Sequence, residues 1–163
     1  MEPPYRLDDA VLLAACREDR FRSGGPGGQH ANRTDSAVRL THAASGIEAQ
    51  CQDHREQARN RQEALRRLRI RLACGQRGLS DPIWLQPWVS GGRIAVRDHA
   101  QDYPAVVAVL LDALDRHRGI VAMAAAELKV STSQFVKCLA ADKDVLHAAN
   151  RLRAAYDLGA LHV

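Results

Sequence analysis

The chain has 163 residues, room for one medium domain or two small ones, and 46% hydrophobic content is enough to build a core. Twenty-seven residues are alanine and only seven are aromatic, a balance that favours helix and argues against an all-β fold. The net charge of +4 rests on twenty arginines and three lysines against nineteen acids, with every lysine in the last 35 residues. Charge is regional: residues 17–99 carry fifteen bases and nine acids, residues 104–163 seven and six. An arginine patch suits phosphate, because the planar guanidinium offers paired donors and stays charged, so nucleic acid leads the partner classes. The plainer reading is a solvated arginine face.

Cys16, Cys51, Cys74 and Cys138 are far apart, with no C-x-x-C pair and no histidine at ligand spacing, so no metal is expected and the thiols read as reduced. No stretch approaches the ~18–20 apolar residues of a membrane span, and the expectation is a soluble cytoplasmic protein.

Leu7 to Arg17, opened by Asp8 and Asp9, predicts one short helix, followed by a brief extended piece over Arg20–Ser23. Four of the eleven glycines then fall within residues 24–28. No helix or strand interior tolerates that density, which predicts an exposed, mobile loop able to take positive φ. Val38, Leu40 and His42 alternate with Arg39 and Thr41, and Ile47, Ala49 and Cys51 alternate with Glu48 and Gln50, across a break at Ala43–Gly46. That pattern predicts a β-hairpin with one face inward.

From His54 to Ala73 the period becomes helical. Ala58, Leu65, Leu68 and Leu72 share one arc, and Arg55, Arg59, Arg66 and Arg69 form a guanidinium stripe on the next. Residues 75–100 read as a connector that packs back by Trp84 and Trp88, with a short strand at Ile94–Arg97. Helices are predicted from Pro104 to Arg118 with Gly119 as stop, then over Ile120–Leu128, Thr132–Ala140 and Asp144–Asp157, the last with Val145, Ala149, Leu152 and Tyr156 on one stripe.

The glycine loop fails the common phosphate-binding patterns. Gln29 and His30 stand where the second P-loop glycine belongs, no Lys-Ser/Thr follows, and the third glycine of a dinucleotide fingerprint would be His30. Ser23, His30 and Asp35 make a triad only on paper, without a strand–helix elbow.

The run from Phe21 through Ser23-Gly24-Gly25-Pro26-Gly27-Gly28-Gln29-His30-Ala31-Asn32-Arg33 to His42, then Ser45-Gly46-Ile47, Cys51-Gln52-Asp53-His54-Arg55, Asn60-Arg61 and Ala64–Leu68, closely resembles the peptidyl-tRNA hydrolysis domain of class I peptide chain release factors. The likeness extends to about residue 73, a little under half the chain. Ala31 stands for a commoner valine and Arg33 for a commoner lysine.

The resemblance implies ribosome-dependent hydrolysis of the ester between a nascent peptide and tRNA, with water as nucleophile and no cofactor. Negative charge would grow on the carbonyl and leaving ribose oxygens, where one preplaced donor is worth about 3 kcal/mol. The backbone N–H of Gln29 is the expected donor, with its side-chain amide orienting the water. Gly27 and Gly28 would let the backbone enter a cavity walled by RNA, where a β-carbon would block it. No group at the tip titrates usefully near neutrality, so ribosome and substrate would handle the protons. Arg22, His30, Asn32, Arg33 and Arg39 flank the loop as expected RNA contacts, with Arg55, Arg59, Arg66 and Arg69 from the helix.

The expected partners are large-subunit ribosomal RNA and P-site peptidyl-tRNA, bound by a monomer with no membrane attachment. Only 23 residues precede Gly24. The expectation is therefore a codon-independent, rescue-like member, although the nearly neutral residues 104–163 lack the Lys/Arg-rich tail common in such relatives.

Ala124–Leu139 reads as a helix-turn-helix with Ala125, Leu128, Val130, Phe135 and Cys138 inward and Lys129 in place of the usual turn glycine. Its second helix offers few base-reading side chains, which favours a packing module, and an RNA- or DNA-binding regulator is the alternative function. The expected architecture is α+β: a hydrolysis domain over residues 1–75 built from a small β-hairpin and a packed helix, a connector over 76–100, and an all-helical module over 101–163.

Overall fold

A computed structural model describes residues 1–22 and 36–163. Gly27, Gly28, Gln29, His30, Asn32 and Arg33, with the rest of the predicted glycine loop, lie outside the described residues. The chain divides into two compact units, Glu2–Leu72 and Ala73–Val163, the latter grouped with Met1. The fold is α+β, a small antiparallel sheet and helix followed by a helical part.

In the first unit a 3-10 helix at Pro4–Arg6 leads into α1 (Asp9–Ala14), β1 (Cys16–Phe21), β2 (Ala37–His42), β3 (Glu48–Cys51) and α2 (Gln57–Gly75), which runs on past Leu72. The three strands pair antiparallel in the order β1-β2-β3. The predicted helix from Leu7 to Arg17 is shorter than expected, because the strand already begins at Cys16. The charges explain it: Arg17 pairs with Asp19 and Arg20 with Glu18, at 3.1 and 3.2 Å. Residues two apart share a face on a strand and do not on a helix.

The predicted hairpin forms. Val38, Leu40 and His42 are buried on β2 and Ala49 and Cys51 on β3, while Arg39 and Gln50 lie on the other face. Its turn closes with His42 N–H on the Ile47 carbonyl and Gly46 N–H on the His42 carbonyl, both at 2.8 Å. Leu65, Leu68 and Leu72 of α2 are buried with Tyr5, Leu12, Val38 and Leu40. Ala58 is exposed, against expectation, because Asn60 takes the buried position of that first turn.

In the second unit the stretch read as a connector is structured. A 3-10 helix at Pro82–Trp88 is capped by Asp81 and buries Leu85, with both tryptophans half-buried. The predicted strand at Ile94–Arg97 is instead β5 (Arg93–Ile94), paired with β4 (Val89–Ser90). Gly91 and Gly92, both at positive φ, make the two-residue turn that this short hairpin requires.

Next come α3 (Tyr103–Arg116), α4 (Val121–Glu127), α5 (Thr132–Ala140) and α6 (Lys143–Ala155). Every residue of α3 from Tyr103 to Leu114 is buried, so α3 is the core element on which α4, α5 and α6 pack. Its one buried carboxylate, Asp112, accepts from Arg77 Nη1, Gly78 N–H, Ser80 N–H and Ser80 Oγ at 2.6 to 3.2 Å. Gly119, at φ +79°, ends the turn after α3, where a β-carbon would press on Arg153 at 3.2 Å.

On α6 the buried stripe is Val145, Ala148 and Ala149, with Tyr156 exposed and its hydroxyl donating to Asp115 at 3.0 Å. No helix among the described residues is long and apolar enough to cross a membrane.

Candidate functional site

Phe21 and Ala37 are register partners at the last pair of β1 and β2, so the sequence between them leaves and rejoins the sheet at one point. Gly27, Gly28 and Gln29 belong to that connection. The ends of the connection are fixed by two arrangements. Arg39, on the neighbouring strand position, lies over the Phe21 ring at 5.3 Å and donates from Nη2 to Gln50 Oε1 at 3.1 Å. Ser36 presents its carbonyl to Asn60 Nδ2 at 2.8 Å.

Asn60 is fully buried and spends its amide on three other partners as well. Nδ2 donates to the His54 carbonyl at 2.8 Å, and Oδ1 accepts from His54 N–H at 2.9 Å and from Cys51 Sγ at 3.3 Å. One side chain thereby joins the end of β3, the start of α2 and the return limb of the glycine connection. A buried amide with this many partners holds a single geometry, because losing any one strands a polar atom away from water. Sequence reasoning missed its role; the available signal was a polar residue at the i, i+4 spacing of Ala64, Leu68 and Leu72 on the buried arc.

The predicted arginine stripe divides. Arg55 is exposed just ahead of α2, without an ion-pair partner among the described residues. Arg59 is exposed and lies 3.5 Å from Glu56. Arg66 is half-buried and grips Glu63 with two bonds of 2.9 and 3.0 Å. Arg69 is in the interior, its side chain only 7% exposed, donating to the Tyr5 carbonyl at 3.2 Å and to Asp9 at 2.6 Å. Arg22 is exposed at the end of β1. The structure therefore brings Arg39 and Arg22 to the base of the connection and leaves Arg59 and Arg66 on one side of α2, with Arg55 exposed ahead of that helix.

His54, Arg59, Gln62, Glu63 and Arg66 line an open groove of about 410 Å³. Arg66 holds the Glu63 carboxyl below the usual carboxylate range, so the groove carries one fixed negative charge between its cations. Because His54 is bonded to Asn60 on both its backbone groups, groove and connection share one anchor.

Three arginines that the stripe did not include hold helix to sheet. Arg61 pairs with Glu18 of β1 at 2.7 Å and lowers its pKa. Arg67 reaches the Gln50 carbonyl at 3.0 Å and Asp53 at 2.5 Å, lowering the pKa of Asp53. Arg71 reaches the Glu48 carbonyl at 2.8 Å. Among the described residues no group of three His, Cys, Asp or Glu side chains is arranged to hold a metal ion. The four cysteines are free, and burial pushes the thiols of Cys74 and Cys138 up to about 12.

A family model for the RF-1 domain matches residues 10–80. Peptide chain release factor 2 of Variovorax paradoxus (strain S110) is 54% identical over 70 residues, which cover 40% of this chain and 19% of that relative. Peptide chain release factor 1 of Dictyoglomus thermophilum is 59% identical over 56 residues, covering 34% of this chain and 15% of that one. Peptide chain release factor 2 of Bordetella pertussis is 58% identical over 62 residues, covering 38% and 17%. The chain thus spans less than a fifth of the length of these curated relatives.

Proposed function

We propose that this chain, which belongs through its RF-1 domain to the class I peptide chain release factor family, hydrolyses the ester of peptidyl-tRNA in the ribosomal peptidyl transferase centre. The observation that carries the reading is where the Gly27-Gly28-Gln29 run falls: inside the matched residues, between the paired strand ends Phe21 and Ala37.

In this reading the backbone N–H of Gln29 stabilises the charge that grows on the reacting oxygens, and Gly27 and Gly28 allow the close approach. Protons pass through the substrate and the ribosome, not through a side chain of this protein. Arg22, His30, Asn32, Arg33 and Arg39 contact RNA around the connection, and Arg55, Arg59 and Arg66 bind phosphate along α2. Arg69 does not share that role, since its guanidinium is buried against the Tyr5 carbonyl and Asp9.

The finer part of the proposal is that release needs no stop codon and serves stalled ribosomes. The test uses ribosomes carrying labelled peptidyl-tRNA in the P site, with the A site empty, filled by a sense codon or filled by a stop codon. Comparable release with and without a stop codon, and none from free peptidyl-tRNA, is the expected result. Release only with a stop codon would overturn the codon-independent part, and release under no condition would overturn the whole reading.

A further inference from the structure

The second unit carries a set of exposed cations outside the residues assigned to peptide release. Arg93 on β5, Arg97 beyond it, Lys129 in the turn before α5 and Lys137 on α5 are all exposed, and none has an acidic partner among the described residues. Of the acids nearest to them in sequence, Glu127 and Asp142 are engaged elsewhere. Glu127 is taken by Arg116 and by His117, the latter at 2.5 Å, Asp98 lies 3.3 Å from His99, and Asp142 caps α6. In the first unit Arg17, Arg20, Arg61, Arg66 and Arg67 are each paired to a carboxylate, while Arg39 bonds the neutral Gln50 and Arg55 stays exposed.

These cations sit on one frame. Ala125, Leu128, Val130, Phe135 and Cys138 are buried beneath the α4–turn–α5 corner, which leaves Ser133 and Lys137 of α5 facing out. The β4–β5 hairpin is fastened beside them: Ser131 N–H donates to the Gly92 carbonyl at 3.0 Å, and Ile94 N–H to Gln134 Oε1 at 3.4 Å. Ile94, Val96, Arg97, Asp98, Gln134 and Lys137 line a groove of about 440 Å³ between hairpin and helix, with two cations and one side-chain carboxylate among its walls.

We propose that this hairpin and α5 face bind the phosphate backbone of double-helical RNA, independently of sequence and independently of peptide release. Four exposed cations against the one groove carboxylate of Asp98 leave this face net positive, and such a face gains by releasing the counterions of a polyanion. Base readout is not available, because Gln134 is committed to the hairpin and the outward side chains of α5 are short hydroxyls and one lysine. Short hydroxyl side chains suit the wide, shallow RNA minor groove, where they can bond the 2′-hydroxyls that DNA lacks.

The test measures binding of the full chain to a fluorescent RNA duplex across a range of potassium chloride concentrations. Two variant pairs carry the same charge change in the same unit: Arg97→Glu with Lys137→Glu, and Arg118→Glu with Arg151→Glu. The first pair is expected to weaken binding at least about tenfold and to lower the salt slope by about two, as two lost phosphate contacts require. The second pair should stay within about threefold of the unaltered chain. Arg97→Gln with Lys137→Gln, a milder change at the same exposed positions, should act in the same direction as the first pair. Equal weakening by the two Glu pairs, no effect of either, or tighter binding to duplex DNA than to duplex RNA would overturn the proposal.

Discussion

Asn60 donates its side-chain amide to the Ser36 carbonyl at 2.8 Å, so the helix after the sheet holds the limb by which the glycine connection returns to it. Asn60→Asp keeps the shape and removes both donations, setting a carboxylate against the carbonyls of Ser36 and His54. The expected cost is about 3 kcal/mol of stability in urea unfolding at neutral pH. Cys51→Ala, which removes the buried sulfur together with its bond to Oδ1 and leaves both amide donations in place, should cost less, roughly 1–2 kcal/mol. Equal stability of Asn60→Asp and the unaltered chain would show that this amide anchors nothing.

Arg69 and Arg55 occupy one arc by periodicity and opposite environments in the fold. Arg69→Ala strips the Tyr5 carbonyl and Asp9 of their donor and should destabilise by about 2–3 kcal/mol. Arg55→Ala should change stability by no more than about 0.5 kcal/mol and should weaken ribosome binding. The two readouts, urea unfolding and ribosome pelleting, are expected to separate cleanly between the two variants.

Lys129 takes φ +57° in the turn between α4 and α5, a backbone region that costs a residue with a β-carbon about 1 kcal/mol. Lys129→Gly should therefore raise the stability of the chain by about 0.5–1 kcal/mol, while Lys129→Ala should give no gain. Thermal unfolding of the three chains side by side measures the difference.

Glu18, Asp53 and Glu63 have their pKa values lowered in the fold, chiefly by hydrogen bonds from Arg61, Arg67 and Arg66 respectively. A carboxyl depressed on folding adds stability at pH above its unfolded pKa and loses it as pH falls through the folded one. Stability should be level above about pH 5 and decline steadily below about pH 4. Glu18→Gln should shallow that decline, which urea midpoints at pH 7 and in the acid range will show.

The hairpin and the helices of the second unit were legible because burial imposes the periods that the sequence displays: Val38, Leu40 and His42 alternate, and Ala125, Leu128, Val130, Phe135 and Cys138 all prove buried. β1 was not, since an edge strand rich in paired charges has no apolar alternation to show and its identity rests on pairing with β2. The division of the arginines was equally hidden. Periodicity puts Arg55, Arg59, Arg66 and Arg69 on one arc, but only the positions of Tyr5 and Asp9, sixty residues away, decide that Arg69 turns inward. Asp112 illustrates the same limit, because its four donors come from residues 77–80, whose sequence has no period.

The most direct test is single-turnover peptide release by Gln29→Ala and Gln29→Pro on ribosomes with an empty A site. Alanine keeps the backbone N–H and proline deletes it. The account predicts a measurable rate for Gln29→Ala and none for Gln29→Pro, with both variants binding the ribosome. Equal loss of release in the two, or undiminished release by Gln29→Pro, would contradict it.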